Sequence, residues 1–358
     1  MTKPSLLELP PGVQLVYLAE GGANVIFRFV ATAPSKPTSG IKKDAKNISI
    51  PPPSTINSTE HGNLPARFHG KLLRLRKETA ADLPYTEIVR NFDTIIRPLF
   101  RPDELVDQTL VRLPEGLLAR CNEQLRAIER SGARPAKRHG ASLCLTEPFG
   151  LLITDMTTAG DPGATLTELK PKWLIQSPSA PATALRCRTC ALREMKNQRA
   201  RRRGQNEQRS FCPLDLVSDR FENVLHATGR IKGCKDRTRL ARILYRNPTL
   251  LKLQSHQKAR RDVGLHGPPP QSREMSLAMT LRDCTMFVKI PQDEKSPVEI
   301  RLGDLDLKIG AGGKAEYWRD METQLINHGW YRGCNNQTPS ECALQGPRRP
   351  NPNPNALT

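Results

Sequence analysis

Three segments near the start of the chain alternate polar and apolar side chains, and this feature restricts the fold more than any other. They are Val13–Glu20, Val25–Val30 and Lys71–Lys77. A period of two is typical of β-strands that bury one face. Gly21-Gly22-Ala23-Asn24 separates the first two segments and predicts the turn of a hairpin. The chain should therefore begin with a small β-rich lobe, in which Lys71–Lys77 forms a third strand.

The rest of the chain is predicted to be mostly helical, with a few short strands. Helices are predicted at 84–100 and 114–131, across most of 186–257 with a break at the basic run 199–204, and at 315–328. Strands are predicted at 151–155, 166–173, 285–290 and 298–302. Such a mixture indicates an α+β fold. We expect two lobes with a cleft between them, a β-rich N-terminal lobe (residues 1–156) and a larger mixed α/β C-terminal lobe (157–345).

Two segments have the composition of disordered chain. Residues 32–66 are rich in Pro, Ser and Lys and predict a disordered insertion, and the Pro/Asn-rich residues 346–358 predict a disordered tail. No segment has the roughly 20 apolar residues of a membrane span, and the first residues lack the apolar run of a signal peptide. We therefore expect no membrane partner, a location in the nucleus, the cytoplasm or both, and reduced thiols for the nine cysteines.

The charge of the chain indicates a polyanionic partner. Lys and Arg number 55 against 36 Asp and Glu, a formal net charge of +19. Such a surplus suits nucleic acid, an anionic membrane or a phosphate-rich small molecule. The run Arg199–Arg203 fits a nuclear-import or nucleic-acid patch, and it equally fits a solvated loop. The regular aromatic residues of a base-stacking surface are missing from the sequence, so we expect no nucleic-acid partner.

The segment Glu168-Leu-Lys-Pro-Lys172 is the strongest local signal. On a strand, Glu168, Lys170 and Lys172 would face the same side. An acid between two lysines is costly to bury in a core, so this face would line a cleft that holds phosphates, with the acid near a nucleotide ribose. The alternative is an exposed, solvated strand face.

Aspartates follow or precede two of the predicted strands. Asp283 lies just before the strand at 285–290, where a carboxylate can act as general base for a substrate hydroxyl. Asp304 and Asp306 follow the strand at 298–302 and resemble a magnesium-binding acidic pair. Each aspartate alone is equally typical of a turn or helix cap, but together they predict a base and a metal ligand side by side.

Cys187-Arg-Thr-Cys190 has the spacing of half a zinc site. A structural site needs four ligands, and Cys212 and His226 are candidates at spacings that are not standard. The alternative is a pair of reduced, structural thiols, and the role of Cys187 and Cys190 stays open at this point.

The order and content of the motifs resemble inositol-pentakisphosphate 2-kinases of fungal type. The matching pieces are Glu20-Gly-Gly-Ala-Asn24, Leu72-Leu-Arg74, Arg134–Arg138, Leu152–Asp155, Glu168–Lys172, Cys187–Cys190 with Lys196, Cys212–Leu216, Arg282–Cys284 and Asp304–Lys308. They span most of the chain in collinear order, and Glu-x-Lys-Pro-Lys is highly characteristic of this family.

The resemblance implies a two-lobed kinase-like fold that uses ATP and Mg²⁺ to phosphorylate the 2-hydroxyl of inositol 1,3,4,5,6-pentakisphosphate, giving inositol hexakisphosphate. We also expect a monomer. The resemblance implies ATP contacts at Gly21, Gly22, Ala23, Asn24, Arg74, Thr154, Asp155, Met156, Glu168 and Asp304. It implies that Asp283, the base, and Lys170 are catalytic and that Asp304 binds Mg²⁺. It implies substrate-phosphate contacts at Arg138, Lys170, Lys172, Lys196, Lys308, Lys314 and Tyr317.

The sequence also departs from the family pattern. Ile309-Gly-Ala-Gly-Gly313 intervenes after Lys308, so Lys314 and Tyr317 match only in a shifted alignment. Leu192 replaces an expected histidine, the asparagine-bearing nucleotide contact has no match in Leu250–Leu253, and the zinc-binding insertion of plant members has no counterpart before Asp283. Alternatives are a kinase for another hydroxyl, a degenerate kinase that binds without turnover, and a non-enzymatic module for RNA or inositol phosphates.

Overall fold

Six strands form one sheet in the first of two compact units in the computed structural model, which describes residues 6–30, 65–78, 83–308, 314–333 and 341–345. The strands are β1 (Leu7–Glu8), β2 (Gln14–Glu20), β3 (Asn24–Val30), β4 (Lys71–Arg76), β5 (Gln108–Arg112) and β6 (Phe149–Thr154). Their order is β1-β5-β6-β4-β3-β2. β1 is parallel to β5, and the other neighbours are antiparallel. The predicted hairpin and third strand are confirmed.

The first unit comprises Met1–Arg90 and Val106–Ala164. Its core lies between the sheet and helix α2 (Leu117–Arg130), where Phe27, Leu73 and Leu125 are almost completely buried. The helix predicted at 114–131 is thus confirmed. Most of the predicted insertion 32–66 lies outside the described residues, as does the predicted tail 346–358.

The prediction of a single helix at 84–100 is wrong in its detail. Helix α1 (Tyr85–Asn91) continues as a π-helical turn over Phe92–Ile96 and a 3₁₀ turn over Arg97–Leu99. Pro98 explains the change, because it has no N–H to donate and its ring crowds the preceding turn. Asn91–Leu105 belongs to the second unit, because Phe92 and neighbouring apolar residues join that unit's core. The division into lobes at 156/157 stays a prediction.

The second unit, Asn91–Leu105 with Thr165–Thr358, combines a small sheet with helices. Its described strands β7 (Thr165–Leu169), β8 (Thr285–Ile290) and β9 (Glu299–Gly303) are antiparallel in that order. The described helices are α3 (Arg188–Arg202), α4 (Pro213–Leu216), α5 (Phe221–Thr228), α6 (Arg237–Leu244), α7 (Pro248–Lys258), α8 (Arg273–Leu281) and α9 (Lys314–Asn327). The α+β class is confirmed.

Two predictions in this unit need correction. The helix breaks within the basic run as predicted, but only near its end, because α3 continues through Arg202. The arginines of its last turn are favourable there, since their positive charge lies at the negative end of the helix dipole. The sequence analysis also missed α8, whose apolar residues are buried nearly all round and so lack a clear helical period. In the part of the chain that the structure describes, no helix is both long and apolar enough to cross a membrane.

Candidate active site and phosphate pocket

The Glu-x-Lys-Pro-Lys segment does not form one strand face, contrary to the sequence analysis. β7 ends at Leu169, two residues before Pro171, which cannot donate to a strand ladder. Lys172 then adopts a left-handed backbone conformation with φ of 59°. The chain turns at this point, and the two lysines reach the same carboxylate from different directions.

Three lysines and two aspartates form one ion-pair network. We call it the lysine–aspartate network, and its members are Lys170, Lys172, Lys308, Asp283 and Asp304. The Lys170 ammonium donates to Asp304 Oδ2 at 2.7 Å and to the Asp283 carbonyl at 3.0 Å, and it lies 3.6 Å from Asp283 Oδ1. Lys172 donates to Asp283 Oδ1 at 2.5 Å, and Lys308 donates to Asp304 Oδ1 at 2.9 Å. The side chains of Lys170, Lys172 and both aspartates are about two-fifths exposed, at 39–43%. The network is therefore open to a ligand.

The charges of the network fix its protonation. Burial opposes ionisation of Asp283, but the hydrogen bond from Lys172 and the charges of Lys172, Lys170 and Lys308 outweigh it and lower the pKa of the carboxyl. Burial likewise opposes the charge on Lys170, yet Asp304 and Asp283 raise its pKa overall. Near neutral pH the site therefore holds an ionised Asp283 beside a charged Lys170.

Asp304 shares the unusual backbone of Lys172. Its φ is 55°, and the described non-glycine residues with positive φ are these two and Arg246. A left-handed conformation costs a non-glycine residue roughly 1–2 kcal/mol, and such strain concentrates at functional sites. Two of the three strained residues thus fall within the lysine–aspartate network.

Buried amide and hydroxyl groups support the network from beneath. Gln257, which is 1% exposed, donates to the carbonyls of Lys172 and Leu281 at 2.9 Å each and accepts from the Leu174 N–H at 2.8 Å. Thr280 on α8 accepts from the Lys308 N–H at 2.8 Å. These bonds attach both lysine segments to α8, which ends just before Asp283.

A pocket of about 600 Å³ opens beside Asp283 within the second unit. Its lining is strongly basic: Lys170, Lys172, Arg188, Arg193, Lys196, Arg209, Arg230, Lys232 and Arg282, against the carboxylates of Glu168 and Asp283. Tyr317 on α9 also lines it and is 53% exposed. Several cations that face one volume suit a compact polyanion.

The cations of the pocket form two groups. Those of the first group are held by protein partners, and those of the second are available to a ligand. Arg188 pairs with Glu322 at 2.7 Å, and Arg282 donates to the carbonyls of Val263 and Arg260 at 2.7 and 2.9 Å. Both guanidinium groups lie over the ring of Trp173, at 4.6 and 4.0 Å from its centroid. Burial, with a smaller contribution from the charge of Arg188, lowers the pKa of Arg282 to about 10, so it is still charged near pH 7.

The available group has no competing protein partner. Within the described ranges, Lys196, Arg209 and Lys232 are exposed and make no hydrogen bond or ion pair. Their ammonium and guanidinium groups can therefore bind a ligand without breaking a protein contact. The sequence analysis identified Lys196 by motif but missed Arg209 and Lys232, which lie in no motif, and Arg193, which carried no pattern of its own. Arg188 and Arg282 had a signal, since they lie within the matching pieces Cys187–Cys190 and Arg282–Cys284.

The Gly21–Asn24 turn lies in the first unit, next to a buried network of ion pairs. The Glu20 carboxylate accepts from Arg134 at 2.8 and 3.1 Å and pairs with Lys77, whose ammonium also donates to the Gly21 carbonyl at 3.0 Å. Burial alone would raise the pKa of Glu20, but the bonds from Arg134 and Lys77 lower it to about 2. Asn24 Oδ1 accepts from the Tyr85 hydroxyl at 2.9 Å.

The two glycines of this turn are not required by the backbone. Neither has a positive φ, and a Cβ would meet nothing within 4 Å at Gly22 and only the Asn24 carbonyl, 4.0 Å away, at Gly21. A residue with a side chain would thus fit the isolated chain. Glycine here is typical of a position where a ligand approaches the backbone closely.

The other residues predicted in the first unit are Arg74, Arg138, Thr154, Asp155 and Met156. Arg74 is buried on β4 with its guanidinium over the Tyr85 ring, and Arg138 ends a 3₁₀ turn. Thr154 Oγ1 accepts from the Asp107 N–H at 3.1 Å, Asp155 accepts from the Thr157 N–H at 2.7 Å, and Met156 is buried. Their contacts with ATP and substrate stay predictions. Lys314 begins α9, but its side chain lies outside the described residues.

The donor set of the lysine–aspartate network fits Mg²⁺. Carboxylate oxygens of Asp283 and Asp304 lie within 3.6 and 2.7 Å of one ammonium, that of Lys170. Mg²⁺ in phosphoryl-transfer sites is typically bound by one or two carboxylates together with substrate phosphates. The same oxygens that accept from lysine here are therefore suitable ligands for a dication.

The chain is similar to proteins of one family. The family described as inositol-pentakisphosphate 2-kinase matches residues 17–268 and 246–324. The inositol-pentakisphosphate 2-kinase of Yarrowia lipolytica (strain CLIB 122 / E 150) is 32% identical over 285 residues, which cover 73% of this chain and 85% of that protein. The matched region contains the network, the pocket and the glycine turn. This chain belongs to the inositol-pentakisphosphate 2-kinase family.

Proposed function

We propose that this protein transfers the γ-phosphoryl group of ATP to the 2-hydroxyl of inositol pentakisphosphate, giving ADP and inositol hexakisphosphate. One observation carries the proposal: an ionised Asp283, held by Lys172 and Lys170, stands at the edge of a pocket lined by nine basic side chains and two acids. Five phosphates on one ring need such a dense array of cations, and a hydroxyl acceptor needs a nearby base.

Asp283 is the proposed general base. It accepts the proton of the 2-hydroxyl as the hydroxyl oxygen forms a bond to the γ-phosphorus and the bond to the β–γ bridging oxygen breaks. The proton passes from Asp283 to solvent, and ADP leaves with the bridging oxygen. The lowered pKa of Asp283 keeps the carboxylate ready to accept at neutral pH.

Lysines position the reacting groups and neutralise charge. Lys170 contacts both aspartates and would lie between base and metal ligand, while Lys172, Lys196 and Tyr317 would hold substrate phosphates from the pocket side. Asp304, with Asp283 nearby, would hold Mg²⁺, which neutralises phosphate charge when bound. Most of the catalytic effect would come from positioning and electrostatics.

The protein is proposed to have a kinase-like fold in which the glycine turn covers the phosphates of the nucleotide. In support, Gly21 and Gly22 leave open backbone in a hairpin turn, as phosphate-covering loops do. Glu168, which lines the pocket, is the proposed ribose contact. Monomeric state and residence in the nucleus, the cytoplasm or both are further parts of this proposal.

The test is an ATP/Mg²⁺ assay with inositol pentakisphosphate that has a free 2-hydroxyl. Wild type, Asp283→Asn and the control Asp262→Asn are compared, since Asp262 is 96% exposed and outside the pocket lining. We expect the first variant to lose roughly 10²–10⁴-fold in turnover while still binding the substrate in calorimetry, and the control to match wild type. Phosphorus NMR of the product should place the new phosphate on C2.

Each alternative predicts a different result. A wild type that binds the inositol phosphate but forms no product would indicate a degenerate kinase. A wild type that leaves this substrate unchanged but phosphorylates an inositol phosphate with a different free hydroxyl would indicate another acceptor hydroxyl. A chain that binds RNA, with steep salt dependence, and neither binds nor phosphorylates the inositol phosphate would overturn the proposal.

A further inference from the structure

Residues 205–211, here called the return segment, follow helix α3 and run back along it. The segment is hydrogen-bonded to α3 at three points, which lie at Ala200, Asn197 and Arg193. These points are three and four positions apart, so they lie on one side of the helix. The segment is therefore antiparallel to α3, and four of its residues line the pocket: Gln208, Arg209, Ser210 and Phe211.

Asn197 makes the central attachment of the return segment. Its Oδ1 accepts from the Gln208 N–H at 2.8 Å, and its Nδ2 donates to the Gln208 carbonyl at 3.1 Å. Asn197 is 7% exposed, so water competes little for these two bonds. Further along the segment, the Phe211 carbonyl accepts from Arg193 Nη1 at 2.8 Å. The backbone of Arg209 is thus fixed on both sides by bonds to α3.

The carboxylates nearest to Arg209 in the sequence are paired with another arginine. Residues 188–211 contain two acids, Glu194 and Glu207. Arg201 donates to Glu194 at 2.6 Å and to Glu207 at 2.7 Å, which gives the basic run 199–203 a structural role. Within the described part of the chain, Arg209 is exposed and makes no hydrogen bond or ion pair. Its positive charge is therefore available to a ligand.

Lys196 presents a second available cation to the same part of the pocket wall. Lys196 precedes Asn197 and Arg209 follows Gln208, so the bonded pair Asn197–Gln208 brings the backbones of the two cations together. Both side chains line the pocket. An arginine can bind two phosphate oxygens at once, and a lysine adds a point charge. The pair suits a phosphate group.

We propose that Arg209 and Lys196 together bind one phosphate group of the inositol phosphate, and that Asn197 positions Arg209 for this contact. The inference rests on the proposed function and adds Arg209 and Asn197 to the residues that the family motifs indicate. Among the described residues, neither cation is bonded to the lysine–aspartate network. Arg209 therefore serves binding and recognition of the phosphate pattern on the ring, and it takes no part in the transfer step.

The first experiment measures steady-state kinetics of the full chain in the ATP/Mg²⁺ assay with inositol pentakisphosphate. Arg209→Gln should raise KM for the inositol phosphate roughly tenfold, since a hydrogen bond to a charged group is lost. Its kcat should stay within about twofold of wild type, because uniform binding is removed, and KM for ATP should not change. The matched control Arg203→Gln removes the same charge from an exposed residue outside the pocket lining and should match wild type.

The outcomes of this experiment separate the inference from the proposed function. Equal increases in KM for Arg209→Gln and Arg203→Gln would show an effect of general charge and overturn the inference, as would an increase in KM for ATP alone. An active wild type whose kinetics Arg209→Gln matches would also overturn the inference while the proposed function stands. Wild type without activity on inositol pentakisphosphate would overturn both.

A second experiment tests whether Arg209 contacts one particular phosphate. Calorimetry gives the Kd of wild type and Arg209→Gln for inositol pentakisphosphate and for inositol tetrakisphosphates that each lack one further phosphate. The substitution should weaken binding of the pentakisphosphate roughly tenfold but binding of one tetrakisphosphate by less than about twofold, because its partner is already missing there. An equal loss for every tetrakisphosphate would refute a specific contact.

The positioning role of Asn197 is tested by a double-mutant cycle. Asn197→Leu removes both bonds to Gln208 and should weaken binding of inositol pentakisphosphate several-fold when Arg209 is present. In the Arg209→Gln background the same change should weaken binding by less than about twofold, because the arginine that Asn197 positions is absent. Circular dichroism checks that the variants are folded. Equal losses in the two backgrounds would refute the positioning role.

Discussion

Two networks of carboxylates and cations in this molecule use the same chemistry for different ends. In the first unit, the Glu20 side chain is 1% exposed and its partners Lys77 and Arg134 are each 2% exposed. In the lysine–aspartate network the corresponding fractions are about 40% for Asp283 and Lys172. A buried pair cannot exchange partners without exposing an uncompensated charge, whereas a half-exposed pair can give up its partner to a ligand at little cost. Exposure, rather than the identity of the pairs, separates a structural anchor from a binding site.

The largest effect on stability should come from breaking the buried network. Glu20→Gln retains the size of the side chain but leaves Lys77 and Arg134 without their shared counter-charge. We expect the free energy of unfolding to fall by about 3–5 kcal/mol, measured by urea unfolding followed by circular dichroism. Glu8→Gln in the same unit, where Glu8 is 70% exposed, should change it by less than about 0.5 kcal/mol. Equal effects of the two variants would contradict the contrast drawn between buried and exposed pairs.

Acid should break the same network without a mutation. The folded-state pKa of Glu20, about 2, lies below its ordinary value of 4.5, so its contribution to stability is complete above pH 4.5 and is lost as the pH falls towards 2. The contribution is about 3 kcal/mol. Between these pH values, stability should decline more steeply in wild type than in Glu20→Gln, by up to about 1.4 kcal/mol per pH unit. Parallel pH curves for the two proteins would show that Glu20 titrates normally.

An intermediate effect is expected at the buried support beneath the exposed network. Gln257→Leu removes the amide that joins Lys172, Leu174 and Leu281. Unsatisfied buried groups should cost roughly 1–3 kcal/mol of stability, and displacement of Lys172 should also weaken substrate binding in calorimetry. Gln254→Leu, one turn earlier on α7 with a single bond to the Leu174 carbonyl, serves as the control. Substrate affinity that is unchanged in Gln257→Leu would show that the amide has no part in positioning the lysine.

The smallest effect on stability should come from the exposed network itself. Asp304→Asn removes the negative charge that pairs with Lys170 and Lys308, and the free energy of unfolding should change by less than about 1 kcal/mol. Turnover in the phosphoryl-transfer assay should nevertheless fall, with a higher Mg²⁺ requirement, because the proposed metal ligand is lost. A variant that loses several kcal/mol of stability would place this network with the structural anchors.

The sequence could predict the elements whose pattern is local. The period of two in residues 13–30 depends only on which face of a strand is buried, and the hairpin formed as expected. The left-handed backbone of Lys172 was not predictable, since Pro171 indicates the end of a strand but not the direction of the chain after it. That Asp283 and Asp304 meet at one ammonium, that of Lys170, followed from the order of the strands, whereas the pocket positions of Arg209 and Lys232 depend on tertiary packing across long stretches of sequence. Local hydrophobic periodicity and sequence motifs therefore identified the reacting groups better than the residues that line the pocket around them.

The position of Trp173 beneath two guanidinium groups has a practical consequence for spectroscopy. The chain has three tryptophans, Trp173, Trp318 and Trp330, and all belong to the second unit. Trp173 and Trp318 also line the pocket, so an anion that binds near Arg188 alters the electrostatic environment of an indole ring. Intrinsic fluorescence excited at the indole band therefore reports on ligand binding and on the unfolding of the second unit, while the opening of the six-stranded sheet is silent in the same signal.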